Sequence, residues 1–230
     1  MEAIVLAGGF GTRLRKVVSD VPKPMSPISG RPFLDFLLES LASKGFHRVV
    51  ISAGYMADKI VSHFGNEIYG LELVYEIEKK PLGTGGAVRQ AVSRCIDNHV
   101  YVFNGDTLVD LDVHKTESLW NEYHCPIIVV RFVDDTSRYG RVELNDGIIL
   151  SFTEKGVKGP GLINAGVYVL PTNSFSHFDL DAPFSLEADY LADLIEIKPV
   201  NGCITDGYFI DIGIPEDYAR AQNDLSGKSC

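Results

Sequence analysis

Three glycines stand within four residues at Gly8, Gly9 and Gly11, and two cations follow at Arg13 and Lys23. Glycine admits φ > 0 and leaves no Cβ between backbone N–H groups and a bound anion. The preceding apolar run, 3–7, is too short for an ordinary soluble helix and reads as a buried strand. Glycine-rich turns after strands are common, but one flanked by two cations suits a nucleoside triphosphate. The dinucleotide fingerprint does not fit, because its third glycine falls on Leu14, and the Gly-Lys-Ser/Thr of a P-loop is absent.

Two carboxylates could serve the same anion. Asp106 follows the apolar run 100–103 and Gly105, so it would either cap a turn or present its charge at a strand end. Asp211 lies between Ile210 and Ile212, neighbours that argue against a solvated loop. Two strand-borne carboxylates beside a triphosphate are a typical Mg²⁺ arrangement, since that ion keeps several waters and needs few protein oxygens.

The elements that must position these groups alternate in type. Leu34, Leu37, Leu38 and Leu41 share one helical face after Pro32 and before Gly45; Ala57, Ile60, Val61 and Phe64 repeat that spacing up to Gly65. Strands are expected at 49–51, 71–77 and 100–103, with a helix over 85–95. This alternation predicts an α/β fold, a Rossmann-like mostly parallel sheet with helices on both faces and ligands at the carboxyl ends of its strands. Past residue 112 a helix over 113–123 and a strand over 127–133 precede an antiparallel elaboration. Its marker is Asn145-Asp146-Gly147 between two strand-like runs, a hairpin signal. A strand at 162–170, a helix at 186–195, a strand at 208–212 and a helix opening at Pro215 complete the chain.

With 31 acids against 21 bases, the net charge of −10 argues against nucleic-acid and anionic-membrane partners, so local cations must meet any anionic substrate. Cys95, Cys125, Cys203 and Cys230 form no CxxC pair, and the histidines are scattered. Neither a signal peptide nor a membrane-length apolar run is present, so a cytoplasmic protein is expected.

The pattern Gly-Gly-x-Gly-Thr-Arg-Leu at 8–14 with Pro-Lys-Pro at 22–24 resembles the signature of the sugar-1-phosphate nucleotidyltransferases. Further segments resemble that family in the same order: 82–87, Gly105-Asp106, Tyr139-Gly140, 152–155, 164–168 and 211–218. The runs 77–86 and 208–218 are similar to those of the D-glycero-α-D-manno-heptose-1-phosphate guanylyltransferases within it. The resemblance spans Glu2 to about Asn223 and implies the nucleotide-diphospho-sugar transferase fold. It implies one domain over 1–230, with a nucleotide-binding half to about residue 112 and a sugar-phosphate-binding half from about 113.

By the same resemblance, Leu6, Ala7, Gly8, Gly9, Gly11, Thr12, Gly83 and Thr84 bind the nucleotide, and Arg13 and Lys23 act on its phosphates. Gly140, Glu154, Lys155 and Asn164 meet the sugar phosphate, and Asp106 and Asp211 hold Mg²⁺. The partners implied are GTP and a sugar 1-phosphate, with GDP-heptose for surface polysaccharide as the product; a homodimer stays open. The nucleophile is already anionic, so no general base is required and catalysis should rest on positioning and charge neutralisation. Guanine presents two adjacent donors, N1–H and N2–H₂, which need an acceptor. Glu76 and Glu78 offer one on the same side of a strand, and Glu78, nearer the 82–87 loop, is the expected acceptor, although Lys79 and Lys80 beside it equally suit a wet surface. A mannose-1-phosphate guanylyltransferase, a uridylyltransferase for an amino-sugar 1-phosphate and a catalytically silent nucleotide-sugar sensor are the alternatives.

Overall fold

A computed structural model describes residues 1–9, 14, 18, 20–152, 156–176, 178–179 and 182–227. Strand β1 (Glu2–Leu6) is followed by a short hairpin, β2 (Pro27–Ile28) and β3 (Arg31–Pro32), and then by α1 (Phe33–Ser43). Next come β4 (Arg48–Ala53), α2 (Ala57–Phe64), β5 (Glu67–Ile68), β6 (Leu71–Ile77), α3 (Gly83–Ala91) and β7 (His99–Asn104). Strands β6, β4, β1 and β7 lie side by side and all parallel. The chain moves outward from β1 to β4 to β6, then returns through α3 to β7 on the other flank of β1. That reversal leaves a crevice at the carboxyl ends of β1 and β7, the place where open α/β sheets bind ligands.

The apolar continuity of these strands follows from burial on both faces. Ala3 and Val5 of β1 pack with Leu34, Leu37 and Leu41 of α1 and Ile60 and Phe64 of α2 in one core. Ile4 faces the opposite core, with Val88 and Ala91 of α3. Tyr101 and Phe103 of β7 belong to the first core, and Val100 and Val102 to the second.

The remaining elements are β8 (Thr107–Val109), α4 (Val113–Tyr123), β9 (Ile127–Val133), β10 (Arg141–Asn145), β11 (Ile148–Phe152) and β12 (Gly161–Pro171). A π-helical turn (Leu186–Leu191) leads into α5 (Ala192–Ile197), followed by β13 (Asn201–Ile204), β14 (Phe209–Asp211) and α6 (Pro215–Asp224). Strand β12 pairs antiparallel with β7 and joins the parallel strands to the order β10-β11-β13-β9-β12. Asp146 and Gly147 both take positive φ, as a type I′ turn between β10 and β11 requires. The expected α/β fold with an antiparallel elaboration is therefore present. The strand expected at 208–212 is β14, which pairs with β8 in a separate two-stranded ribbon, and a strand the sequence reading does not mark, β13, enters the main sheet parallel to β9.

Candidate active site

Beyond Leu6 the chain stays tied to β4 for one more residue, with Ala7 N donating to Ser52 O at 2.7 Å, and then continues through Gly8 and Gly9. On the other side of β1, Gly105 N donates to Leu6 O at 3.0 Å. A Cβ on Gly105 would stand 2.6 Å from that same oxygen, so only glycine lets the two strand ends approach this closely. The result is a cleft of about 320 Å³. Leu6, Ala7, Gly8, Gly9 and Lys23 line it together with Glu78, Gly83, Thr84 and Asp106, so nine of the expected residues are brought together.

Lys23 opens a one-turn 3-10 helix (Lys23–Met25), held in place by the fixed φ of Pro22 and Pro24. Its Nζ donates to Asp106 Oδ2 and lies 3.9 Å from Asp211 Oδ1. The ribbon creates this meeting. Asp211 is in register with Thr107, and Ile212 N donates to Asp106 O at 3.0 Å. Asp211 also accepts from Gly213 N at 2.6 Å, an approach that a Cβ on Gly213 would obstruct. Burial, and after it the neighbouring Asp106 charge, raises the Asp211 carboxyl above its ordinary range, and Lys23 draws it back down. Two carboxylates already bracket one cation here. Among the described residues no third His, Cys, Asp or Glu joins them. That donor set fits a hard divalent ion that keeps its own waters.

Glu78 and Glu76 part company in the fold. Glu76 is buried under α3, where its oxygens accept from Gln90 Nε2 at 2.8 Å and Arg94 Nε at 2.7 Å. Glu78 lies just past β6 and faces the cleft, with Oε2 accepting from Leu82 N at 3.1 Å. Burial raises its carboxyl above the usual range, and the Leu82 amide opposes that rise. A Cβ on Gly8 would come 2.7 Å from Glu78 Oε1, so the glycine leaves room for the carboxylate. Gly83 and Thr84 line the cleft, and a Cβ on Gly83, Gly85 or Gly86 would collide with Phe184 or Leu82.

The expected sugar-side residues are less assembled. Asn164 does not line this cleft; its Nδ2 donates to Tyr168 Oη at 2.8 Å and its Oδ1 accepts from Gly166 N at 2.9 Å. Gly140 is half-buried and follows Arg138, which binds Asp217 Oδ2 at 2.6 Å, and Tyr139, whose ring meets Phe209 edge-on at 6.2 Å. Asp217 is thus held by an arginine and is not part of the Asp106–Asp211 pair. Gly11, Thr12, Arg13, Glu154 and Lys155 lie outside the described residues. Sequence reasoning did not single out Asn104, which lines the cleft, or Glu187, which joins Thr84 to Tyr168. For Asn104 the signal was its place at the end of an apolar strand; Glu187 gave none.

The nucleotidyl transferase family profile matches residues 2–228. The chain belongs to that family. It is 41% identical over 226 residues to the D-glycero-alpha-D-manno-heptose 1-phosphate guanylyltransferase of Aneurinibacillus thermoaerophilus, covering 98% of each chain. The enzyme of the same name from Campylobacter jejuni is 41% identical over 219 residues, 95% of this chain and 97% of its own. Among solved structures, the crystal structure of HddC from Yersinia pseudotuberculosis complexed with GMP-PN superposes with a TM-score of 0.88 at 38% identity. That match covers 98% of this nucleotidyl transferase and 99% of HddC. No helix among the described residues is long and apolar enough to cross a membrane.

Proposed function

We propose that this nucleotidyl transferase moves GMP from GTP to a sugar 1-phosphate, D-glycero-α-D-manno-heptose 1-phosphate, giving GDP-heptose and pyrophosphate. The observation that carries the reading is the cleft at the β1/β7 reversal, where Lys23 sits on Asp106 beside Asp211 and Glu78 offers an acceptor in the same lining. The near full-length similarity to two heptose 1-phosphate guanylyltransferases supports the choice of nucleotide and sugar. A single domain with nucleotide and sugar-phosphate halves meeting near residue 112, working in the cytoplasm where GTP is made, is consistent with this reading.

The sugar phosphate attacks the α-phosphorus with an oxygen that already carries charge, and pyrophosphate departs in line. The barrier is the meeting of two anions, so the protein's contribution is to hold them and neutralise them. Backbone amides of Gly8 and Gly9, with Gly11 and Thr12, cradle the triphosphate; Lys23 serves the α-phosphate and Arg13 the outer phosphates. Asp106 and Asp211 would hold Mg²⁺, which supplies positive charge to the phosphate oxygens when bound. Glu78 accepts from the guanine edge while Gly83 and Thr84 border the base. Lys155 holds the sugar phosphate, and Gly140, Glu154 and Asn164 meet the sugar. Incubation with GTP, Mg²⁺ and heptose 1-phosphate tests the proposal by mass spectrometry. Equal amounts of GDP-heptose and pyrophosphate are expected, and pyrophosphate without a nucleotide-sugar would refute it.

A further inference from the structure

Glu187 is a half-buried carboxylate on the π-helical turn for which the transfer chemistry has no use. Its Oε2 accepts from Thr84 Oγ1 at 2.9 Å and Ser185 Oγ at 3.1 Å, and its Oε1 accepts from Tyr168 Oη at 2.8 Å. Thr84 Oγ1 in turn accepts from Leu186 N at 2.8 Å, so the hydroxyl's one proton is committed to the carboxylate. Tyr168 is fully buried, and burial, with the Glu187 charge after it, keeps its hydroxyl protonated far beyond the ordinary range. A carboxylate can only accept, so Tyr168 must donate to it and must accept from its other neighbour, Asn164 Nδ2. That fixes which way the Asn164 amide faces. Its Oδ1 takes Gly166 N, where Gly166 holds φ +74° inside the irregular stretch of β12, and one Nδ2–H and one lone pair of Oδ1 stay available. π-helical turns are rare and collect at functional sites, and this one brings Glu187 between α3 and β12.

We propose that Glu187 is a positioning residue that sets Thr84 at the nucleotide end and the amide orientation of Asn164 at the sugar end through one hydrogen-bonded line. The inference rests on the proposed guanylyl transfer for what the two ends touch. Glutamine at 187 can donate where glutamate only accepts. Two hydroxyls, of Thr84 and Ser185, donate to Oε2 and only one to Oε1, so the glutamine keeps its oxygen on the Thr84 side and sets its Nε2 against Tyr168. That turns the Tyr168 hydroxyl towards Asn164, which must then flip and release Gly166 N. Glu187→Gln should therefore raise the KM for sugar phosphate about tenfold and that for GTP by less, with kcat within about threefold. Amide hydrogen exchange should quicken both at 82–86 and at 164–168, segments far apart in sequence. Tyr168→Phe, which cuts the line only on the sugar side, should raise the sugar-phosphate KM alone and quicken exchange only at 164–168. Unchanged exchange at 164–168 in Glu187→Gln, or a fall in kcat with both KM values intact, would overturn the inference. Should Glu187→Gln fail to fold, Tyr168→Phe decides alone, by the same two readouts. Should wild type transfer no guanylyl group, the proposed activity falls, while the exchange measurements still decide the role of Glu187.

Discussion

On the parallel side of β7, several of the groups that line the cleft stand at the end of a strand or just past it: Gly8 after β1, Glu78 after β6, Asn104 at the end of β7 and Asp106 just beyond it. On the antiparallel side, Asn164 lies inside β12 and is aimed by Tyr168 and Glu187, neither adjacent to it in sequence. The first arrangement is set by where strands stop, which is a local property of the chain. The second is set by side chains meeting across the fold. The groups gathered at the β1/β7 cleft should therefore carry the chemistry and the guanine contact, and β12 the sugar, so lesions on the two sides should differ in kind as well as size.

The largest expected effect is Lys23→Ala. Losing one preorganised charge on a transferring phosphoryl group should lower kcat by at least about 10²-fold. Near-normal turnover would break the claim that the β1/β7 cleft carries the chemistry. Next come Asp106→Asn and Asp211→Asn, each expected to raise the Mg²⁺ needed for half-maximal rate about tenfold, the equivalent of about 1.4 kcal/mol. A titration of rate against Mg²⁺ checks this, and an unchanged midpoint in both variants would remove the pair from the metal.

On the antiparallel side the expected lesion is one of stability. Gly166 has φ +74°, and a Cβ there would stand 2.7 Å from Asn104 Nδ2. Gly166→Ala should cost about 1–2 kcal/mol in urea unfolding, through a strained left-handed backbone. Because Asn104 also lines the nucleotide cleft, a modest rise in the KM for GTP should accompany that loss. A loss of stability with GTP binding untouched would sharpen the separation between the two sides.

The smallest effect concerns pH. Glu78 is raised by burial, so in the folded protein it takes up a proton at a higher pH than in the unfolded chain. The sign is that of an acid whose charged form is disfavoured by folding: the stability it contributes is present below the unfolded value and is lost as pH rises through the folded one. Protonation also turns one acceptor into a donor. Discrimination for GTP over ATP should therefore decline as pH falls through that raised range, and Glu78→Gln should flatten the profile.

Legibility in the sequence followed local spacing rather than this divide. Helices α2 and α4 and strand β9 fall where apolar spacing predicts them, because one face or both must be buried. Strand β13 escaped notice because it is four residues long and contains Gly202, and its partner β9 lies far away in the chain. Strand β8 is shorter still, and without it nothing in the sequence shows that Asp106 and Asp211 meet over Lys23. The π-helical turn reads as ordinary helix, since a shifted backbone hydrogen bond leaves the apolar spacing almost unchanged. Nearness to the 82–87 loop favours Glu78 over Glu76 in the sequence, while the physical reason, that Gln90 and Arg94 occupy Glu76, needs α3 in place.

The central claim is guanylyl transfer, and kcat/KM for GTP, UTP, ATP and CTP, each with heptose 1-phosphate, measured by pyrophosphate release, tests it most directly. An acceptor at Glu78 that loses its donor partner is left unpaired in a half-buried site, so the account predicts GTP well ahead of the other three, with Glu78→Gln eroding that lead more than it lowers the rate. A wild-type protein that prefers UTP would contradict it.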